Sequence, residues 1–174
     1  MRSPPPPPAS LGPFGKLIYL ISEISGYGSV IAIIGALLII TYEVAARYIF
    51  SWPTVWEIEA AVFLLIFATF VGSSYALKYD GHIAMDMVVV RLKPKPRAIM
   101  ELITSIVSLA FCALVGIRGW EMWWEAFSEG WVSDSLWGPP LWIPYLFLPI
   151  GFTCMCLQYG TIVFIRIGEI KSKE

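Results

Sequence analysis

Charge is what this sequence has least of. Aspartate, glutamate, lysine and arginine make up 14% of its 174 residues, beside 57% hydrophobic and 15% aromatic residues. A soluble domain uses about 25% charged residues. The shortage leaves too little polar surface to clothe a water-facing domain and equally excludes intrinsic disorder. A formal net charge of −1 supplies no basic field for a polyanion, so no nucleic acid partner is expected. A single histidine, His82, excludes paired axial ligands for a membrane haem within the chain. The cysteines Cys112, Cys154 and Cys156 all fall in apolar runs, and the Cys-x-Cys pair points to different helix faces. They read as structural rather than redox-active. An integral membrane protein remains.

Crossing a bilayer core of about 30 Å takes about 20 apolar helical residues. Four stretches meet that length: 27–46, 58–77, 98–117 and 141–165. They are too long and too continuous for the alternating strands of a membrane barrel. The fold expected is all-α integral membrane: four transmembrane helices plus short interfacial helices. Residues 1–15 form a Pro-rich leader expected to be disordered, 16–168 a single transmembrane domain, and 169–174 a tail. The leader is no signal peptide, since a polar, Pro-rich lead-in precedes an apolar run long enough to span.

All lysines and arginines except Arg47 and Arg118 fall on one side of the spans: Arg2, Lys16, Lys78, Arg91, Lys93, Lys95, Arg97, Arg166, Lys171 and Lys173. The positive-inside rule then places both termini in the cytoplasm. All eight tryptophans lie at the opposite ends of the spans. An aromatic belt normally occupies both faces of a membrane, so this one-sidedness suggests an outer surface packed against more than lipid. Residues 16–25, with Leu17, Leu20, Ile21 and Ile24 at helical spacing, form either a surface helix or an extension of span one. Ser51-Trp52-Pro53-Thr54 reads as a tight turn, and the segment 80–92 as interfacial.

Transporters and pumps keep ionisable groups and broken helices at mid-membrane. The stretches Val30–Tyr42, Ala60–Leu77, Leu102–Ile117 and Leu141–Ile165 contain no Asp, Glu, Lys, Arg or His. The helix-break signals within a span are Pro144 and Pro149-Ile-Gly151, with Pro149 expected to kink the fourth helix. A self-sufficient transporter or channel is not expected, and no catalytic residue, metal or cofactor is implied.

Glu43 and Arg47, four apart in the favourable order, form either an intrahelical salt bridge or a pair in which Arg47 reaches Glu57 or a partner subunit. His82 and Asp86 are also four apart, but with no further ligand nearby they suit a local hydrogen bond rather than a metal. After span three, Glu121, Glu125 and Glu129 repeat every four residues beside an aromatic stripe of Trp120, Trp124, Phe127 and Trp131. This continues the helix beyond the third span, either as a solvated interfacial helix or as a docking surface.

Several landmarks fall in one order. Arg47 ends span one; a short turn leads to Trp56-Glu57; Gly72 and Tyr75-Ala76 close span two. Gly81-His82-Ile83-x-x-Asp86 and a Pro-rich basic loop ending in Arg97 follow. Ser135-Leu136, Pro139, Trp142, Tyr145, Pro149-Ile-Gly151 and Leu157-Gln158 come last. From Tyr42 to Gln158 this resembles the small membrane (Q-type) subunit of tripartite ATP-independent periplasmic, or TRAP, transporters.

The resemblance implies a bacterial inner-membrane, multi-pass subunit without transport chemistry of its own. Its partners would be membrane lipid, a periplasmic binding protein that captures an organic anion, and a large elevator-type subunit carrying the substrate and sodium sites. By resemblance, Arg47, Trp56 and Glu57 orient spans one and two, Gly72 permits close packing, and His82 and Asp86 order the inner interfacial helix. The periplasmic docking candidates Trp120, Glu121, Trp124, Glu125, Glu129 and Trp131 rest on physics alone. The alternative is a small four-helix exporter acting as an oligomer, with Glu43 or Glu59 as its membrane carboxylate.

Overall fold

A computed structural model describes residues 12–80 and 94–171. They form four long helices: α1 (Gly12–Phe50), α2 (Glu57–Asp80), α3 (Pro94–Ser128) and α4 (Trp142–Lys171). Each contains a stretch long and apolar enough to cross a membrane. α1 is one continuous helix, so residues 16–25 extend the first span rather than forming a separate surface helix. It also begins at Gly12, inside the stretch expected to be disordered. Pro13 falls in the first turn, where its missing N–H leaves no helical bond unmade. His82, Asp86 and the expected interfacial segment around them lie outside the described residues.

The helices stand in a row, in the order α1, α2, α4, α3. α1 packs along α2, α4 along both α2 and α3, while α1 and α4 touch only slightly. The row is built from two antiparallel hairpins joined through α2 and α4, which run in the same direction. Paired contacts keep that seam in register: Phe67 meets Phe147 edge-on at 5.1 Å and Phe70 meets Phe152 at 6.1 Å.

The reason these faces meet lies in side-chain size. Along α1, Ile18, Ser22, Ser25, Ser29, Ala32, Ala36, Glu43 and Ala46 are buried. Their spacing alternates between three and four residues, missing one step at half-buried Ile39. Along α3 the same repeat runs through Ser105, Cys112, Gly116, Gly119 and Ala126, all buried, with a seven-residue step at each end. An average repeat of 3.5 residues is the period of left-handed helix pairing. Small residues on that stripe let backbones approach closely, the main source of attraction between helices in lipid. Ser22 adds an interhelical bond, donating its hydroxyl to the Ser74 carbonyl at 3.0 Å.

Two glycines sit where the approach is tightest. A Cβ at Gly72 would come within 2.9 Å of the Ser29 Cβ, and one at Gly151 would collide with the Phe70 backbone carbonyl. The Gly72 backbone thus lies in close contact with Ser29 of α1. Gly151 holds α4 against α2. Pro149, within α4, is fully buried and lies beside Gly119 of α3.

Gly151→Val is expected to destabilise the row by about 1–3 kcal/mol through overpacking. Gly160, whose Cβ would meet nothing, is expected to accept alanine with no loss. Thermal unfolding of the two purified variants in detergent compares them.

Candidate functional site

One end of the row collects the tryptophans, and most of the fastening in the described residues is there. α1 stops at Phe50, and Ser51 takes a left-handed φ of 53° that turns the chain back. Glu43 and Arg47 pair at 3.0 Å across one helical turn. Arg47 also donates to the Thr54 hydroxyl from Nη2 at 2.6 Å and Nε at 3.2 Å, tying the helix end to the turn. Glu57, almost fully buried, opens α2 and accepts from the backbone N–H groups of Val55 and Trp56 at 2.9 and 3.0 Å. A carboxylate there also meets the positive end of the helix dipole. Arg47 thus forms the intrahelical pair with Glu43, while Glu57 is engaged by backbone N–H groups. Trp56 stands edge-on to Trp137 at 6.4 Å.

The strongest long-range clamp was invisible in the sequence. Glu59, in the first turn of α2, accepts from Ser133 through one carboxylate oxygen and from Ser135 at 2.8 Å through the other. Ser135 in turn accepts from the Gly138 N–H at 3.2 Å. The loop between α3 and α4 is further closed by Ser133 N–H to the Pro139 carbonyl and Leu141 N–H to the Trp131 carbonyl, at 3.0 and 2.9 Å. An isolated β-bridge joins Val132 to Pro140. This small, braced loop carries Leu136 at its tip, 95% exposed, beside exposed Trp137 and Asp134. Two serines flanking an aspartate were the available sequence signal, but their partner lies more than 70 residues away.

The acidic and aromatic stretch continues α3 to Ser128 and packs beside α4. Gly119 lies against Leu148 and Pro149, Trp120 donates to the Thr153 hydroxyl at 3.3 Å, and Phe127 meets Trp142 edge-on at 5.9 Å. The segment thus runs beside the first half of α4, because the small-residue stripe continues to Ala126. Trp123 stacks on Phe127 at 5.6 Å and meets Trp120 edge-on at 5.5 Å. Its indole N–H is buried without a hydrogen-bond acceptor. Trp131 packs edge-on against Tyr145 and donates to Glu129 at 2.7 Å. Glu121 pairs with Arg118 at 2.7 Å. Trp124 and Glu125 are exposed.

What these residues define is an α-helical membrane protein with its polar clamps gathered at one end of a helix row. Both carboxylates that a small exporter would use, Glu43 and Glu59, are held in those clamps. A family model described as "Tripartite ATP-independent periplasmic transporters, DctQ component" matches residues 36–167. The chain is 26% identical over 152 residues to the C4-dicarboxylate TRAP transporter small permease protein DctQ of Vibrio cholerae, covering 75% of this chain and 66% of that protein. It is 24% identical over 118 residues to the C4-dicarboxylate TRAP transporter small permease protein DctQ of Rhodobacter capsulatus, covering 67% and 52%. To the ectoine TRAP transporter small permease protein TeaB of Halomonas elongata it is 25% identical over 166 residues, covering 94% and 82%. The chain thus spans about half to two thirds of the length of the two C4-dicarboxylate relatives. It belongs to the DctQ family of TRAP small permeases.

Glu59→Ala is expected to free the two serines and loosen the loop by about 1 kcal/mol. Amide hydrogen exchange should then rise across residues 131–141 while the centres of α3 and α4 keep their protection.

Proposed function

We propose that this chain is the non-catalytic small membrane subunit of a TRAP-type uptake system in a bacterial inner membrane. It braces a large, sodium-coupled elevator subunit and helps receive a periplasmic binding protein loaded with a small organic acid or a similar organic solute. Family membership supports the reading. The observation that carries it is the division of labour within the row. Small residues fill the helix contacts, and the carboxylates near the tryptophan-rich ends of α1 and α2 are committed to structural bonds. A scaffold needs packing and rigidity, whereas a carrier needs free ligands at mid-membrane.

In this reading the tryptophan-rich end is periplasmic and both termini are cytoplasmic, as the lysines and arginines indicate. Docking then falls to the outward surface offered by Leu136, Trp137, Trp124 and Glu125. Leu136 stands on a loop already held in one shape, so presenting it to a partner costs little ordering entropy.

Reconstitution in sodium-free liposomes, with and without sodium in the external medium, tests the assignment. Sodium-dependent uptake is expected only when this chain, the large subunit and the binding protein are combined; uptake by this chain alone would refute it. Leu136→Ser with Glu125→Lys is expected to weaken transport about tenfold at limiting binding protein, through lost hot-spot contact, while the assembled membrane complex still purifies intact.

A further inference from the structure

The two flanks of the helix row differ in a way that orients the molecule among its neighbours. On α1, Tyr27, Ile31, Ile34 and Leu38 are exposed, and no charged residue lies between Glu23 and Glu43. On α3, Leu114, Ile117, Arg118 and Glu121 are all exposed, and each lies three or four residues from two others of the set. Residues so spaced share one helix face. That face carries the Arg118–Glu121 pair with its side chains 82% and 57% exposed.

Depth makes the pair unusual. Arg118 lies about 15 Å inward from the end of α3 at Ser128, counted at the helical rise, well below the loop-bearing end of the row. The packing agrees: its neighbour Gly119 touches Pro149, and nearby Gly151 abuts Phe70, well inside the uncharged stretch of α2. Charged side chains at such depth face protein or water rather than hydrocarbon. Among the described residues, Arg118 donates through Nη1 to Glu121 alone, leaving further guanidinium N–H groups to an outside acceptor.

We infer that the Arg118–Glu121 flank of α3 is the seam covered by the large membrane subunit, while the α1 flank faces lipid. This rests on the small-subunit reading above. The covering surface presents a hydrogen-bond acceptor, a carboxylate or helix-end carbonyl, level with Arg118, and apolar side chains against Leu114 and Ile117.

A photo-crosslinking benzoylphenylalanine placed at Ile117 or at Leu38, in membranes carrying the whole complex, separates the two flanks. A crosslinked band with the large subunit is expected from position 117 and not from position 38. The reverse pattern, or lipid adducts alone at 117 while the two subunits still co-purify, overturns the inference and leaves the subunit reading standing. Failure of the two chains to co-purify at all overturns the reading itself. As a second measurement, Arg118→Leu with Glu121→Leu is expected to lose the large subunit on purification while the isolated chain keeps its unfolding temperature in detergent. Full retention of the partner overturns the seam.

Discussion

Close approach of helix backbones along stripes of small residues is the constraint on which this structure depends. In lipid there is no hydrophobic gain from bringing two apolar helices together, because hydrocarbon already surrounds them. Attraction comes from dense contact, and serine, alanine and glycine permit it. The stripes at 3.5-residue spacing on α1 and α3 set which face each outer helix turns inward. The central helices α2 and α4 are gripped from two sides, which explains why Gly72 and Gly151 have almost no room for a side chain.

The ends of the row solve a different problem. A helix terminus leaves backbone groups without intrahelical partners, and a turn near a membrane surface must find acceptors and donors locally. Glu57 takes up two such N–H groups, Arg47 ties the end of α1 to Thr54, and Glu59 holds a distant loop through two serines. Carboxylates that in a pump would bind cargo are here used as mortar. The resulting end surface combines firm shape with exposed apolar and acidic side chains, a combination suited to receiving another protein.

The four spans were legible in the sequence because twenty-residue apolar runs have few other uses, and the Glu43–Arg47 pair because its partners are one turn apart. The order of helices in the row was not. Every position in such a run is apolar, so hydrophobicity no longer marks the inward face. Residue size does, as the alternation through Ser22, Ser25, Ser29, Ala32 and Ala36 makes plain once it is sought. The side-by-side placement of α2 and α4, and the Glu59 clamp across the α3–α4 loop, join residues far apart in the chain and leave no local trace. The continuation of α3 through the acidic stretch was legible from its helical spacing, but its packing beside α4 through Gly116 and Gly119 was not.

The row also fixes an order of assembly. Each antiparallel hairpin has its contacts within one continuous stretch of chain, so α1 and α2 can close on each other as soon as both have left the ribosome and entered the bilayer. The α2–α4 seam cannot form until the last helix is made. Until then the first hairpin carries one bare edge, with Phe67 and Phe70 waiting for Phe147 and Phe152. The lateral meeting of two finished hairpins is therefore the last contact the row can make, and the aromatic and glycine contacts on that edge are the ones it completes.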